Sequence, residues 1–199
     1  IYLNEYAKEG TLKRVIRLAT NNLAGVPSVV FGLFGMALFV KGLGFGTSIL
    51  AGGLTLALVA LPVIIRTTEE ALKTVPKSYR EASLALGATQ WQTVRRVVLP
   101  AAASGILTGS ILSLGRVAGE TAPILFTAAA YFLPRLPDSL LDQVMALPYH
   151  LYVIATSGTQ IEKSRPMAYG TAVVLLMLVT ILNLAAVLLR SRFRKMTKH

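Results

Sequence analysis

Four long stretches without a single charged side chain divide this chain: residues 23–40, 43–65, 97–115 and 167–189. An α-helix needs roughly 20 apolar residues to cross a hydrocarbon core about 30 Å thick, so each stretch is long enough to span a membrane. None alternates apolar and polar residues as a barrel strand does. Glycine and proline occur inside the runs, at Gly25, Pro27, Gly32, Gly35, Gly52, Gly53 and Pro62. They would argue against helices in water. In lipid, small residues let helices approach closely, and neighbouring groups satisfy the freed backbone. Composition agrees: 54% of residues are hydrophobic and only 15% charged, with a mean hydropathy of +0.61. The expected fold class is therefore all-α, a polytopic transmembrane helix bundle with four spans.

Charge sets the expected orientation. The formal net charge is +11, from 20 Lys+Arg against 9 Asp+Glu. In a soluble protein that excess would point to nucleic acid. Here the cations sit between apolar runs, the pattern of inward-facing loops in membrane proteins, so no nucleic-acid partner is expected. Lys8, Lys13, Arg14 and Arg17 precede the first run. The link after the second carries Arg66, Lys73, Lys77, Arg80, Arg95 and Arg96. The tail carries Arg190, Arg192, Arg194, Lys195 and Lys198. In the loop before the fourth run, Arg135, Lys163 and Arg165 are balanced by Asp138, Asp142 and Glu162. The positive-inside rule places 1–22, 66–96 and 190–199 in the cytoplasm and 135–165 outside. Segment 11–23, basic and partly amphipathic, is expected along the inner lipid surface.

The third run continues past Arg116 and Glu120 as far as Pro134. As one helix, 97–134 would be roughly 57 Å long at 1.5 Å per residue, too long for a straight crossing. Pro123 is expected to end or kink it. Asn21 and Asn22 are candidate caps for the first span. Trp91 suits an interfacial anchor, and Asn183 can bond across helices. The two histidines, His150 and His199, are isolated, His150 being expected in a loop. Cysteine is absent, so disulfides and thiolate metal sites are excluded, and no metal or cofactor is expected. No G-x-x-x-x-G-K-[ST] occurs, so any ATP hydrolysis belongs to another chain; this one is expected to be a transport subunit, not an enzyme.

One polar stretch, REASLALGATQWQTVRRVVLP at 80–100, interrupts the oily sequence. Val75-Pro76 should stop the preceding helix. Ser78 with Glu81 three residues on has the spacing of a capping box. Gly87 should close that helix in the left-handed conformation, and Thr89 or Gln90 should open a second that runs into the membrane. Helix, glycine turn, helix is the expected order. An ordinary amphipathic connector would show the same periodicity.

The stretch resembles the EAA loop of binding-protein-dependent ABC importer permeases: Glu-Ala-Ala, three residues, Gly, nine residues, Ile, one residue, Leu-Pro. Here stand Glu81-Ala82-Ser83, then Gly87, Val97 and Leu99-Pro100, with two conservative departures at Ser83 and Val97. The resemblance implies a coupling helix within 66–96 that docks on an ATPase subunit, with Glu81, Ala82, Ser83 and Gly87 at the contact. The small residues Ala82, Ser83 and Ala85 would permit close approach, and Glu81 would offer a charged acceptor.

The second constellation is GRVAGETAP, 115–123. Arg116 and Glu120 are four apart, on one face if the helix continues. Charges inside an apolar run are costly unless paired or hydrated. They either form a purely structural ion pair, or Arg116 lines a translocation path and offers a planar donor fork to an oxyanion while Glu120 holds it. This segment, NNLAGVPSVVFGLFG (21–35) and ALPYHLYVIAT (146–156) resemble the phosphate-specific members of the family, of the A-type. That resemblance runs from residue 1 and implies the type I importer permease fold. The whole of 1–199 would be one N-terminally truncated permease domain, four spans of a six-span subunit lacking its first helix and most of its second. It also implies a C-type second permease, an ATPase dimer, an external phosphate-binding protein, phosphate as substrate and an inner-membrane location. Phosphonate, sulfate or molybdate importers would share the loop, whereas a stand-alone secondary transporter would have no use for it.

Overall fold

The computed structural model describes residues 1–157 and 161–196. Among the described residues ten α-helices follow one another and no strand forms, only an isolated bridge between Ala129 and Val144. They are α1 (Tyr2–Glu5), α2 (Thr11–Ala24), α3 (Ser28–Gly35), α4 (Ile49–Lys73), α5 (Lys77–Ala85), α6 (Gln90–Thr93), α7 (Leu99–Val117), α8 (Ala122–Thr127), α9 (Leu147–Ser157) and α10 (Ile161–Met196). Two π-helical turns extend them, Met36–Gly42 after α3 and Val94–Val98 between α6 and α7.

The second, third and fourth apolar runs form helices long and apolar enough to cross a membrane: Ile49–Lys73, Gln90–Val117 and Ser164–Leu188. The first run is shorter as a helix. Ser28–Gly42 qualifies only together with α2, as a broken span or a re-entrant loop. Asn21 and Asn22 cap nothing: both lie inside α2, whose end leaves the Asn22 carbonyl to accept from the Gly25 amide. The N-cap of α3 is Pro27, with fixed φ and no donor to waste. His150 lies within α9, not in a loop. Lys198 and His199 lie outside the described residues. Apolar side chains such as Leu176, Ile181 and Leu184 stand exposed along α10, and only 6% of its apolar window is buried. Lipid, or another apolar helix, is the surface that suits them.

The helices sort into two compact units. One comprises Ile1–Gly25, Leu61–Leu114 and the chain from Asn183 on. Its core is Ala71, Leu72, Val75, Val98 and Ala102, flanked by Leu99 and Ile106. Here α4 and α7 meet backbone to backbone. A Cβ on Gly105 would fall 2.7 Å from the Ala71 Cβ, and one on Gly109 would run into the Thr67 side chain. Glycines four apart thus make a groove in which Ala71 and Thr67 lie. Beside it, Glu69 of α4 takes Arg17 of α2 at 2.6 Å and Lys73 at 3.1 Å.

The other unit comprises Val26–Ala60 and Gly115–Leu182. The helix α8 packs on α3, with the Gly32 Cα facing the Ala122 carbonyl, Pro123 and Phe126. The apolar remainder of the third run therefore folds back within the protein. Its break lies ahead of Pro123, not at it. α7 ends at Val117, and Pro123 sits in the first turn of α8, where its missing N–H costs nothing. The N-terminal amides of α4 are satisfied by carbonyls elsewhere: Ser48 donates to Thr127, Ile49 to Asp142 and Leu50 to Leu140.

Candidate functional site

The polar stretch folds as a corner. α4 stops at Lys73, ahead of Val75-Pro76, and α5 opens directly after Pro76. The expected capping box at Ser78 does not form. Pro76 is the N-cap, so Ser78 already lies in the first turn, too far inside to cap it. The box instead stands at the next helix. The Thr89 hydroxyl accepts from the Gln92 amide at 3.3 Å, and the Thr89 amide donates to Gln92 Oε1 at 2.8 Å.

Between the helices, Gly87 has φ +82°. Its amide donates to the Leu84 carbonyl, and the Ala88 amide reaches back to Ser83 at 3.2 Å. These are the two bonds of a Schellman ending, which needs a left-handed residue at its C′ position. Beyond the corner, α6, the π turn and α7 form one continuous helix, Gln90–Val117. The wider π turn comes immediately before Leu99-Pro100. Pro100 cannot donate, and its ring crowds the carbonyl four residues back; the wider register ahead of it eases that conflict.

Of the expected coupling residues, Glu81, Ala82 and Gly87 are exposed together on α5 and its cap. Among the described residues Glu81 has no hydrogen-bonding partner. Ser83 is half-buried. Its hydroxyl shares a hydrogen bond with the buried Thr93 Oγ1 at 2.9 Å, bracing α5 against the next helix. Tyr79, Leu84 and Leu86 add exposed apolar surface, Leu86 at 89%. The corner thus offers a carboxylate and apolar side chains outward.

Inward, the corner is held by residues that sequence alone did not single out. Arg80 is bidentate to Glu5: Nε donates to Oε2 at 3.1 Å and Nη2 to Oε1 at 2.9 Å. Its Nη1 donates to the Val75 carbonyl at 2.7 Å and Nη2 to the Leu72 carbonyl at 3.0 Å. Gln90 Nε2 donates to the Glu5 backbone carbonyl at 2.7 Å. The Arg80 hydrogen bonds hold the Glu5 carboxyl below its ordinary pKa, against the opposing effect of burial. The only sequence signal was that Glu5 and Arg80 carry opposite charges. Nothing in their spacing, 75 residues, marked them as a pair. An open groove of about 480 Å³ lies between Asn4, Glu5, Lys73, Lys77, Arg80 and Glu81.

Arg116 and Glu120 belong to the other unit. They do meet, but not on one helical face, because α7 ends at Val117. A turn follows, with Gly119 donating to the Arg116 carbonyl and Glu120 to that of Val117. It brings Glu120 Oε1 within 3.7 Å of Arg116 Nε. That is an ion pair at a distance longer than a hydrogen bond. Arg116 is 58% exposed at its side chain and Glu120 only 17%. The carboxylate is therefore largely shielded and the guanidinium fork mostly open. Among the described residues no cluster of three metal-ligating side chains occurs.

The family model described as binding-protein-dependent transport system inner membrane component matches residues 1–195. A probable ABC transporter permease protein, YqgI of Bacillus subtilis (strain 168), is 38% identical over 198 residues, covering 94% of this chain and 67% of that protein. The phosphate transport system permease protein PstA 1 of Mycobacterium tuberculosis (strain ATCC 25618 / H37Rv) is 40% identical over 190 residues, 96% of this chain and 60% of its own. PstA of Yersinia pestis is 37% identical over 186 residues, at 94% and 61%. The chain thus spans about three fifths to two thirds of the length of these relatives. Among solved structures, an inward-facing form of the MetNI methionine ABC transporter superposes with a TM-score of 0.71 at 22% identity, covering 92% of this chain and 76% of that one. That likeness is one of fold.

Proposed function

The chain belongs to the family of binding-protein-dependent transport system inner membrane components, and from that premise we propose that it is the A-type permease subunit of an ATP-driven phosphate importer. Relatives named as phosphate transport permeases, 36–40% identical over most of the chain, support the substrate. The observation that carries the mechanism is the corner at Gly87: an exposed short helix, closed by a left-handed glycine and joined by a tight turn to the start of a spanning helix. Such a piece is a lever. A separate ATPase subunit grips α5 through Glu81, Ala82 and the glycine cap, and Ser83 stiffens the grip from behind. Closure of the ATPase dimer on ATP drags the corner and rocks this permease against a C-type partner. An external phosphate-binding protein then releases its ligand into the opened path.

Within that path Arg116 serves as the anion contact. Glu120 stands at its Nε side and leaves the other guanidinium nitrogens to an incoming oxyanion, bound as a planar fork binds phosphate. A neighbouring carboxylate keeps that contact from becoming a trap. The orientation that fits is cytoplasmic for α5, for the start of the chain and for its end.

Uptake by the reconstituted complex, with sulfate and molybdate competing against phosphate, tests this. Phosphate should enter and the other anions should compete poorly. Arg116→Gln should cut uptake by about tenfold or more while the complex stays assembled, the scale of one lost charge-assisted contact. Equal competition by sulfate or molybdate sinks the phosphate assignment. Normal uptake in Arg116→Gln reduces that residue to a structural role.

A further inference from the structure

A lever works only if its corner does not flex. Gly87 alone gives no such assurance, because an added Cβ there would meet nothing within 4 Å and its left-handed backbone is held only by the helix-ending bonds. Rigidity has to come from contacts that tie the two legs together. One is Ser83 to Thr93. The other is Glu5, and it touches both legs at once. Its carboxylate holds Arg80 on α5, and its carbonyl holds Gln90 at the start of α6. Arg80 in turn holds the carbonyls of Leu72 and Val75, at and just beyond the end of α4, where Pro76 offers Leu72 no amide four residues on. One guanidinium therefore joins the end of α4, the docking helix α5 and the helix α1. The pair is well shielded, Glu5 at 7% and Arg80 at 21% side-chain exposure, so water competes poorly for it.

We propose that Arg80, Glu5 and Gln90 form a latch that makes α1 and the Gly87 corner a single mechanical piece, so that α1 carries part of the stroke delivered to α5. Arg80 is a positioning residue. It touches neither transported anion nor ATP; it sets the angle at which α5 presents Glu81 and passes force to the rest of the unit. This rests on the coupling assignment above. A fork is needed for the task, since only arginine can address a carboxylate and two backbone carbonyls from one planar group.

The test uses the whole complex in proteoliposomes, with partner permease, ATPase subunit and binding protein. Glu5→Gln, Arg80→Gln and Arg80→Lys are compared with wild type for phosphate taken up per ATP hydrolysed. The amount of ATPase subunit retained on purification is measured alongside. Glu5→Gln keeps the shape of the side chain and removes only its charge. The expected result is unchanged retention and a fall of about tenfold in uptake per ATP for both glutamine variants, the factor set by about 1.4 kcal/mol. Arg80→Lys should fall in between, since an ammonium restores charge without the fork. A wild-type ratio in both glutamine variants overturns the latch. So does a loss of ATPase retention in step with uptake, which would make these contacts part of the docking surface. A wild-type complex that moves no phosphate overturns the proposed function as well, whereas a working wild type matched by its variants removes the latch alone.

Discussion

At Gly87 it is the backbone, not lack of space, that selects glycine. An L-residue forced into the left-handed region costs roughly 1–2 kcal/mol, and a β-branched one is a sharper outlier. Asparagine visits that region more readily than other residues. Gly87→Val should therefore open the corner and lose the ATPase subunit on purification, while still inserting in the membrane. Gly87→Asn should retain most of it. Full retention in the valine variant would remove the coupling assignment. The residue was legible beforehand because the requirement is local: a short helix followed by glycine and then Thr89 leaves little other use for it. Ser78 and Glu81 had equally good local spacing, yet no box formed. Proline at 76, with φ fixed at −58°, starts the helix two residues too early for Ser78 to cap it. Glu5 and Arg80 were illegible for the opposite reason, since their contact depends wholly on tertiary placement.

Among elements, the seam between α4 and α7 is the most demanding. Gly105 and Gly109 lie against Ala71 and Thr67 with no room for a side chain. Enlarging a close-packed site of this kind costs about 1–3 kcal/mol, more where backbone must shift. Gly109→Leu should therefore lower the melting temperature of the purified subunit markedly, and Gly105→Ala should do so mildly. Gly53→Ala, where an added Cβ meets nothing within 4 Å, should leave it unchanged or slightly raised. An unaltered melting curve for Gly109→Leu would refute the seam. Small residues in apolar runs did point to close packing, but not to which helix fills the groove. The π turns were also hidden, because one inserted residue barely disturbs an apolar run that has no polar face to mark its period. For the same reason the end of α7 at Val117 was missed, and with it the fact that Arg116 and Glu120 meet across a turn.

For the molecule as a whole, long apolar runs made three spanning helices readable, because lipid leaves a chain few choices, while asymmetric charge supplies an expected sidedness. The division of the chain into two units was not readable, since it cuts through the middle of α4 and near the end of α7. Sidedness is open to a direct measurement. Arg66, Lys73, Lys77, Arg80, Arg95 and Arg96 crowd one connecting segment, whereas Arg135 stands in its loop beside Asp138 and Asp142. Moving such a basic cluster across a membrane is disfavoured, so the two segments should face opposite sides. This sequence has no cysteine, so a single introduced thiol gives an unambiguous signal. Ser78 and Ser139 are exposed, small and polar, and cysteine replaces either at little cost. In intact cells a membrane-impermeant maleimide should label Ser139→Cys and spare Ser78→Cys, which should react only after the membrane is opened. Equal labelling of both in intact cells, or the reverse order, would invert or abolish the orientation. An α5 facing outward would have no ATPase to meet, and the lever at Gly87 would lose its function with it.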